Sequence, residues 1–263
     1  MSLDTLAQNY DRDGYISGVP ILSESEAKRH RNVLEDLEAA EGNLHYKAKL
    51  HTVMTSPYEM ATHPKVLDIV EALIGPDILL YDVTYIIKEA RTDAHVSWHQ
   101  DLTFWGLSDD AQVSMWLALS PATEKSGCMR MIPGSHNDGV CDHDTYVDET
   151  NVLLQSQTVR DIDESRAVMC PLQPGEASFH HGWVLHASMP NRSNDRRIGL
   201  NVQFLAPHVR QTKHDLDSAM LVRGEDRFGH FRQDTPARSD FEPAAVRRWQ
   251  ELDKLHVDTQ GTA

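Results

Sequence analysis

The chain has 263 residues, 40% of them hydrophobic and 25% charged, which is the make-up of an ordinary globular protein long enough to bury a real core. A formal charge of −15 argues against nucleic acid and anionic membranes as partners, and no apolar run reaches the length of a membrane span. Cys128, Cys141 and Cys170 are scattered without metal-type pairing and read as reduced thiols, and the acidic start does not read as a signal peptide, so a cytoplasmic protein is expected.

The N-terminal region reads helical. Ser23 and Glu26 form a capping box, Ala27, His30, Val33, Leu34, Leu37 and Ala40 follow helical spacing, and Gly42 is a stop. A second S-x-x-E, Ser56 to Glu59, has Pro57 at the favoured first helical position. Another helix is predicted over about 64–73, closed by Gly75-Pro76. After residue 76 the texture changes. Short β-branched and aromatic segments at 78–88, 96–101, 112–119, 127–134, 167–172, 176–182 and 197–205 are separated by Gly, Pro, Asn and Asp turns, the pattern of a sandwich or barrel. Residues 135–166 read as a polar, acidic insertion loop, and helix returns over about 243–255. With no linker in sight, one domain is expected: a helical region over 1–75, a β core about 76–207, and a helical tail 208–263. In the segment 197–205, Ile198, Leu200, Val202 and Phe204 share one face, while Arg197, Gly199, Asn201 and Gln203 share the other. If the apolar face packs on helices, the polar face lines an interior cavity.

The 15 histidines are the unusual count. In Trp98-His99-Gln100-Asp101, strand alternation puts an imidazole and a carboxylate on one side, where both can reach one ion. With one distant histidine they would make the two-His-one-carboxylate set that leaves Fe(II) open to a chelating cosubstrate and O2. The bland reading of His99 is a strand-edge histidine paired with a carboxylate. Downstream, His180, His181 and His186 precede Arg196 and Arg197. Any of the three could be the distant ligand, and a guanidinium on the polar strand face can grip a carboxylate with two prongs. The bland reading here is a surface cluster beside a solvated arginine pair.

HPKVLDIVEALIGPDILL, WHQD, SMWLALSPATEKSGCMRMIPGSH and LHASMPNRSNDRRIG, preceded by DRDGYISGVPILSESEA, occur in an order that resembles the phytanoyl-CoA dioxygenase (PhyH-like) family of Fe(II)/2-oxoglutarate-dependent oxygenases. The resemblance implies a mostly β fold with flanking helices around a double-stranded β-helix (jelly-roll, cupin-like) core. It implies Fe(II), 2-oxoglutarate and O2 as cofactor and cosubstrates, with His99, Asp101 and His186 as metal ligands. His186 matches because Arg197, eleven residues on, stands where the family binds the cosubstrate's carboxylate. His181–Arg192 has the same offset, but the family's small-x-x-Asn-x-Ser pattern fits 187–193 instead. The resemblance also implies Ser188 beside Arg197, Trp116 lining the cosubstrate pocket (core packing being the alternative), and a lysine reaching 2-oxoglutarate, Lys49 in preference to Lys47, on one face of a strand. His136 is read as structural. Since Asp101 is present, hydroxylation with release of succinate and CO2 is expected rather than halogenation. Phe104, Trp105 and Trp183 flank the expected site as candidate substrate-binding residues, and a small polar or zwitterionic metabolite is the expected partner. The loop 135–166 is expected to act as a lid, with Val152 to Leu154 docking over the site. Two other classes compete: a metal-dependent cupin enzyme that does not use 2-oxoglutarate, and a non-catalytic jelly-roll binding protein.

Overall fold

A computed structural model describes residues 2–145, 148–153 and 156–260. Helix α1 (Leu3–Asp13), strand β1 (Tyr15–Pro20), and helices α2 (Glu24–Glu41), α3 (Thr55–Ala61) and α4 (Pro64–Ile74) come first. The core follows: β2 (Ile78–Lys88), β3 (Val96–His99), the short helix α5 (Leu102–Trp105), β4 (Gln112–Ala118), β5 (Met129–Met131), β6 (Val168–Cys170), β7 (Glu176–His180), β8 (His186–Ser188) and β9 (Arg197–Leu205). Strands β10 (Ser218–Arg223) and β11 (Arg232–Gln233) and helix α6 (Pro243–Gln260) complete the chain. Two sheets result, one ordered β1-β7-β4-β9-β2-β10-β11 and one ordered β3-β8-β5-β6, antiparallel except at β10–β11. This is the expected jelly-roll layout. Among the described residues no helix is long and apolar enough to cross a membrane.

The two faces of β9 explain how the sheets are used. Ile198, Leu200, Val202 and Phe204 are fully buried in one cluster with Leu34, Leu50, Met54, Val66 and Val70 from the N-terminal helical layer. Burying four such side chains contributes roughly 1.5–3 kcal/mol each, which fixes which face turns inward. Because side chains alternate strictly, Arg197, Asn201 and Gln203 must then face the space between the sheets. β2, paired with β9 along its length, places Asp82, Thr84, Ile86 and Lys88 on that same face.

Several local expectations meet their physical tests. Both bonds of the Ser23/Glu26 capping box form, and Gly42 ends α2. The second box does not form. α3 begins at Thr55, so Ser56 lies inside it and bonds His30 Nδ1 at 2.8 Å, while Glu59 pairs with Arg29. The division into helical ends and a β middle also needs correcting. β1 from the N-terminal helical region adds to β7 at one edge of the large sheet, and β10 from the tail adds to β2 near the other. Each borrows a sheet edge that the core strands leave open, which local periodicity cannot reveal.

Gly199 sits where only a bare Cα fits: a Cβ there would lie 1.9 Å from Trp116 Cζ2. A Gly199→Ala variant is expected to lose about 1–3 kcal/mol of stability in urea unfolding, since the indole must shift in a packed interior. An unchanged unfolding midpoint would show that Trp116 moves without cost.

Candidate metal and cosubstrate site

The ligand set is built by one strand pair and one turn. β3 and β8 are antiparallel, with His99 directly opposite His186, and their rings lie 4.1 Å apart between centroids. Asp101 does not sit in the strand, contrary to the alternation argument. Its backbone is already helical (φ −57°, ψ −48°) at the start of α5, and that turn swings the carboxylate back over His99. Asp101 Oδ1 lies 3.3 Å from His99 Nε2 and 3.7 Å from His186 Nε2. One ligand atom from each of the three residues falls within 4.8 Å of the others.

The tautomers are fixed by the backbone. His99 Nδ1 meets the Ser97 carbonyl at 2.9 Å and His186 Nδ1 meets the Val184 carbonyl at 3.0 Å. A carbonyl only accepts, so both Nδ1 atoms carry a proton and both Nε2 atoms face Asp101, where in the neutral form they can bind a metal. The other oxygen of Asp101 accepts from the Ser114 hydroxyl at 3.1 Å, which in turn accepts from Gln112 Nε2 at 2.8 Å, and His180 Nε2 lies 3.4 Å from it. Burial alone would raise the Asp101 carboxyl, but His186, His180 and His99 outweigh it and hold it well below the usual range. Burial, and then His99, hold His186 well below an ordinary imidazole. An ionised carboxylate beside a neutral imidazole is the state a divalent cation requires.

The other end of the cavity is cationic. Arg197 is 1% exposed, and its guanidinium lies 4.8 Å over the Trp116 ring. Nη1 donates to the Gly127 carbonyl at 3.3 Å, while Nε and Nη2 have no partner among the described residues. Burial lowers its pKa to about 10, so it stays charged at neutral pH. Lys88, the cross-strand neighbour of Arg197, donates to Ser188 Oγ at 2.6 Å and to the Met189 carbonyl at 2.7 Å. It thereby pins the end of β8, two residues from His186.

One cavity, about 850 Å³ with its open mouth included, joins the two regions. His99, Asp101 and His186 line it, as do Trp116, Ser188 and Arg197. Of the three aromatic residues considered for substrate, only Trp105 reaches it. Phe104 packs edge-on against His143 at 5.1 Å, and Phe104 and Trp183 share a satellite apolar cluster with Leu102. Lys49 is not at the cavity either. The segment 45–49 makes only an isolated bridge to Tyr85, and Lys49 has a left-handed backbone (φ 56°) that turns its side chain the other way. Its Nζ donates to the carbonyls of Tyr81 and Ser218 and lies 3.7 Å from Asp234. Lys47 instead pairs with Asp253 at 3.5 Å. In the rival register, His181 stands 3.8 Å from Asp110 and Arg192 pairs with Asp93 at 2.6 Å, so the two are not brought together. His136 is structural, its Nε2 3.2 Å from the Asp11 carbonyl. Sequence reasoning does not single out Ser114, His180 or Lys88 for these roles. A signal for Lys88 exists: it shares one face of β2 with Asp82 and Thr84.

The family model for phytanoyl-CoA dioxygenase matches residues 10–199. The chain belongs to that family. It is 35% identical over 146 residues to phytanoyl-CoA dioxygenase domain-containing protein 1 of Danio rerio, covering 53% of this chain and 50% of the relative. It is 30% identical over 146 residues to a probable alpha-ketoglutarate-dependent hypophosphite dioxygenase of Stutzerimonas stutzeri, covering 54% and 50%. The chain thus spans about half the length of the curated relatives it matches. Among solved structures, the non-heme monooxygenase ThoJ in its apo form aligns with a TM-score of 0.85 at 30% identity, covering 97% of this chain and 98% of that one. CytC3 with Fe(II) and alpha-ketoglutarate shares the fold, with a TM-score of 0.69 at 24% identity over 91% and 96% of the two chains. Family membership and the buried His-Asp-His set agree on Fe(II) and 2-oxoglutarate as the groups such a cavity takes. The residues present fit both: three converging ligand atoms for the metal, and two guanidinium nitrogens, unpartnered among the described residues, for a carboxylate.

Replacing His99, Asp101 or His186 by Ala is expected to abolish stoichiometric Fe(II) binding in equilibrium dialysis while the fold persists. Ser114→Ala is expected to weaken binding roughly 10–100-fold by freeing the Asp101 carboxylate. Full iron content in His186→Ala would remove β8 from the ligand set.

Proposed function

We propose that the protein is an Fe(II)- and 2-oxoglutarate-dependent oxygenase that hydroxylates a C–H bond of a small polar or zwitterionic metabolite. The observation that carries this reading is the pairing, in one cavity, of the His99/Asp101/His186 set with a buried arginine whose Nε and Nη2 have no partner among the described residues. A cupin enzyme without a 2-oxo acid, or a plain binding protein, gives no reason to bury that charge.

When bound, iron and 2-oxoglutarate supply the oxidising chemistry, with O2 consumed and the 2-oxo acid released as succinate and CO2. The chain's own residues position and protect. His99, Asp101 and His186 would hold the metal from one side, leaving the rest of its coordination to cosubstrate and oxygen. Arg197, stacked over Trp116, would take the far carboxylate of 2-oxoglutarate, and Lys88 fixes Ser188 beside it. With Asp101 present as a carboxylate ligand, the metal would have no ligand position left vacant for a halide, which favours hydroxylation over halogenation.

Part of the loop 135–166 reaches the cavity. Val152 donates to the His95 carbonyl, Ser97 Oγ to the Gln157 carbonyl, and Val159 to the Trp98 carbonyl, so the loop is laid along β3. Val152 and Leu153 line the cavity, which supports a role for the segment at the site; Leu154, also expected there, lies outside the described residues. We assign this loop the role of a lid that excludes water during turnover.

Arg197→Ala is expected to weaken 2-oxoglutarate binding by roughly 1.5–3 kcal/mol, the worth of a charged hydrogen-bonded pair, measured by calorimetry on the Fe(II) protein under nitrogen. Unaltered affinity would remove the cosubstrate assignment and with it the proposed reaction. Amide hydrogen exchange over 148–153 is expected to slow when Fe(II), 2-oxoglutarate and substrate are all present. Equal exchange with and without them would reduce the loop to a fixed wall.

A further inference from the structure

The cavity is bipolar. Its Arg197 end is positive, and the opposite end is lined by Asp82 on β2 and by Thr84, Asn201 and Gln203. Register puts these residues in rows across the large sheet: Ser114 of β4 stands opposite Gln203 of β9, which stands opposite Asp82 of β2. Ser114 holds Asp101, so the row runs from the metal ligands into the far end of the chamber, two strand spacings or about 10 Å away.

Two observations there point to a ligand. Gln203 Oε1 and Thr84 Oγ1 are buried, line the chamber, and have no partner among the described residues. The charge there is mostly negative. Asp82, Asp217 and Asp234 are all buried; Lys49 is the permanent cation among them, and the imidazoles of His51 and His256 stand 3.7 Å from Asp234 and 3.9 Å from Asp82. Lys49 Nζ is committed to Asp234 and two backbone carbonyls, and Asp217 accepts from Tyr81 Oη at 2.6 Å. Asp82 is the one of the three that faces the chamber. Its Oδ1 accepts from the Lys49 backbone N–H, and His256 Nε2 stands 3.9 Å from its Oδ2. Three buried carboxylates beside one permanent cation give this end of the chamber a negative field, which favours a cationic occupant. Trp105 and Tyr46 add aromatic surface, and His256 and Val257 bring α6 in as one wall.

We propose that the substrate carries an ammonium group that docks on Asp82, with further hydrogen-bond donors, hydroxyl or amide, directed at Gln203 and Thr84. This rests on the oxygenase reading above and names the substrate class for the same site. Anionic substrates, acyl-CoA thioesters included, meet the wrong sign of charge at this end.

The test uses the full chain loaded with Fe(II) and 2-oxoglutarate under nitrogen, whose visible charge-transfer band reports the chelate. Loss of that band would refute the oxygenase reading itself. With the band present, a panel of amino alcohols, amino sugars and amino acids is titrated beside their N-acetyl counterparts, polyols and carboxylates, following band shifts and calorimetric heats. The expected result is that the tightest binders are ammonium compounds and that Asp82→Asn, which keeps the Oδ1 acceptor and a folded site, weakens them at least about tenfold. Gln203→Met should weaken them less, since it removes no charge. Tightest binding by anions or neutral compounds, ammonium binding indifferent to Asp82→Asn, or no ammonium binder in the panel would each overturn the inference while leaving 2-oxoglutarate binding intact.

Discussion

A guanidinium taken out of water and given one long protein hydrogen bond is an expense that a small domain does not carry without an answering anion. Arg197 is in that position, and much of the cavity is arranged around it. Gly199 leaves room for Trp116 to lie flat beneath the charge. Lys88, which would otherwise repel it, is turned toward the end of β8 and occupied there with carbonyl and hydroxyl acceptors. The apolar face of β9 is buried so thoroughly that the strand cannot rotate the arginine out to solvent without exposing Ile198, Leu200, Val202 and Phe204.

The proposed metal ligands depend on a different restraint, the meeting of two short strands. β3 and β8 have four and three residues. Such strands are held less by their own ladder than by what packs behind them. Trp98, Leu185 and Ala187, which alternate with His99, His186 and Ser188, share a cluster with Ile132 and Val159. The apolar residues anchor the strands from outside, and the histidines are thereby aimed inward.

Much of this is legible in the sequence, though not always for the right reason. The polar and apolar faces of 197–205 can be read directly, because one long strand with strict alternation needs no partner to be interpreted. His99 and Asp101 are found through an assumed strand that in fact ends between them; a helical turn performs the same convergence. The strand carrying His186 cannot be read from three residues, and only family resemblance chooses among the neighbouring histidines. Lys49 is misplaced because the chain at 45–49 turns instead of extending, with left-handed backbone at Tyr46 and Lys49. Phe104 and Trp183 fail because aromatic residues near a site pack behind it as readily as into it. Asp82 is invisible as a chamber residue, since a β-bulge between Leu80 and Asp82 and its register with Gln203 belong to the assembled sheet.

The cavity is also uneven in where its walls come from along the chain. Every residue assigned to iron or to 2-oxoglutarate lies between 88 and 197, within the span matched by the family model, whereas His256 and Val257 on α6 close one wall from beyond it. Part of the wall is thereby separable from the rest: substitutions at His256 or Val257 would alter the shape of the chamber while leaving in place every residue assigned to iron or to 2-oxoglutarate.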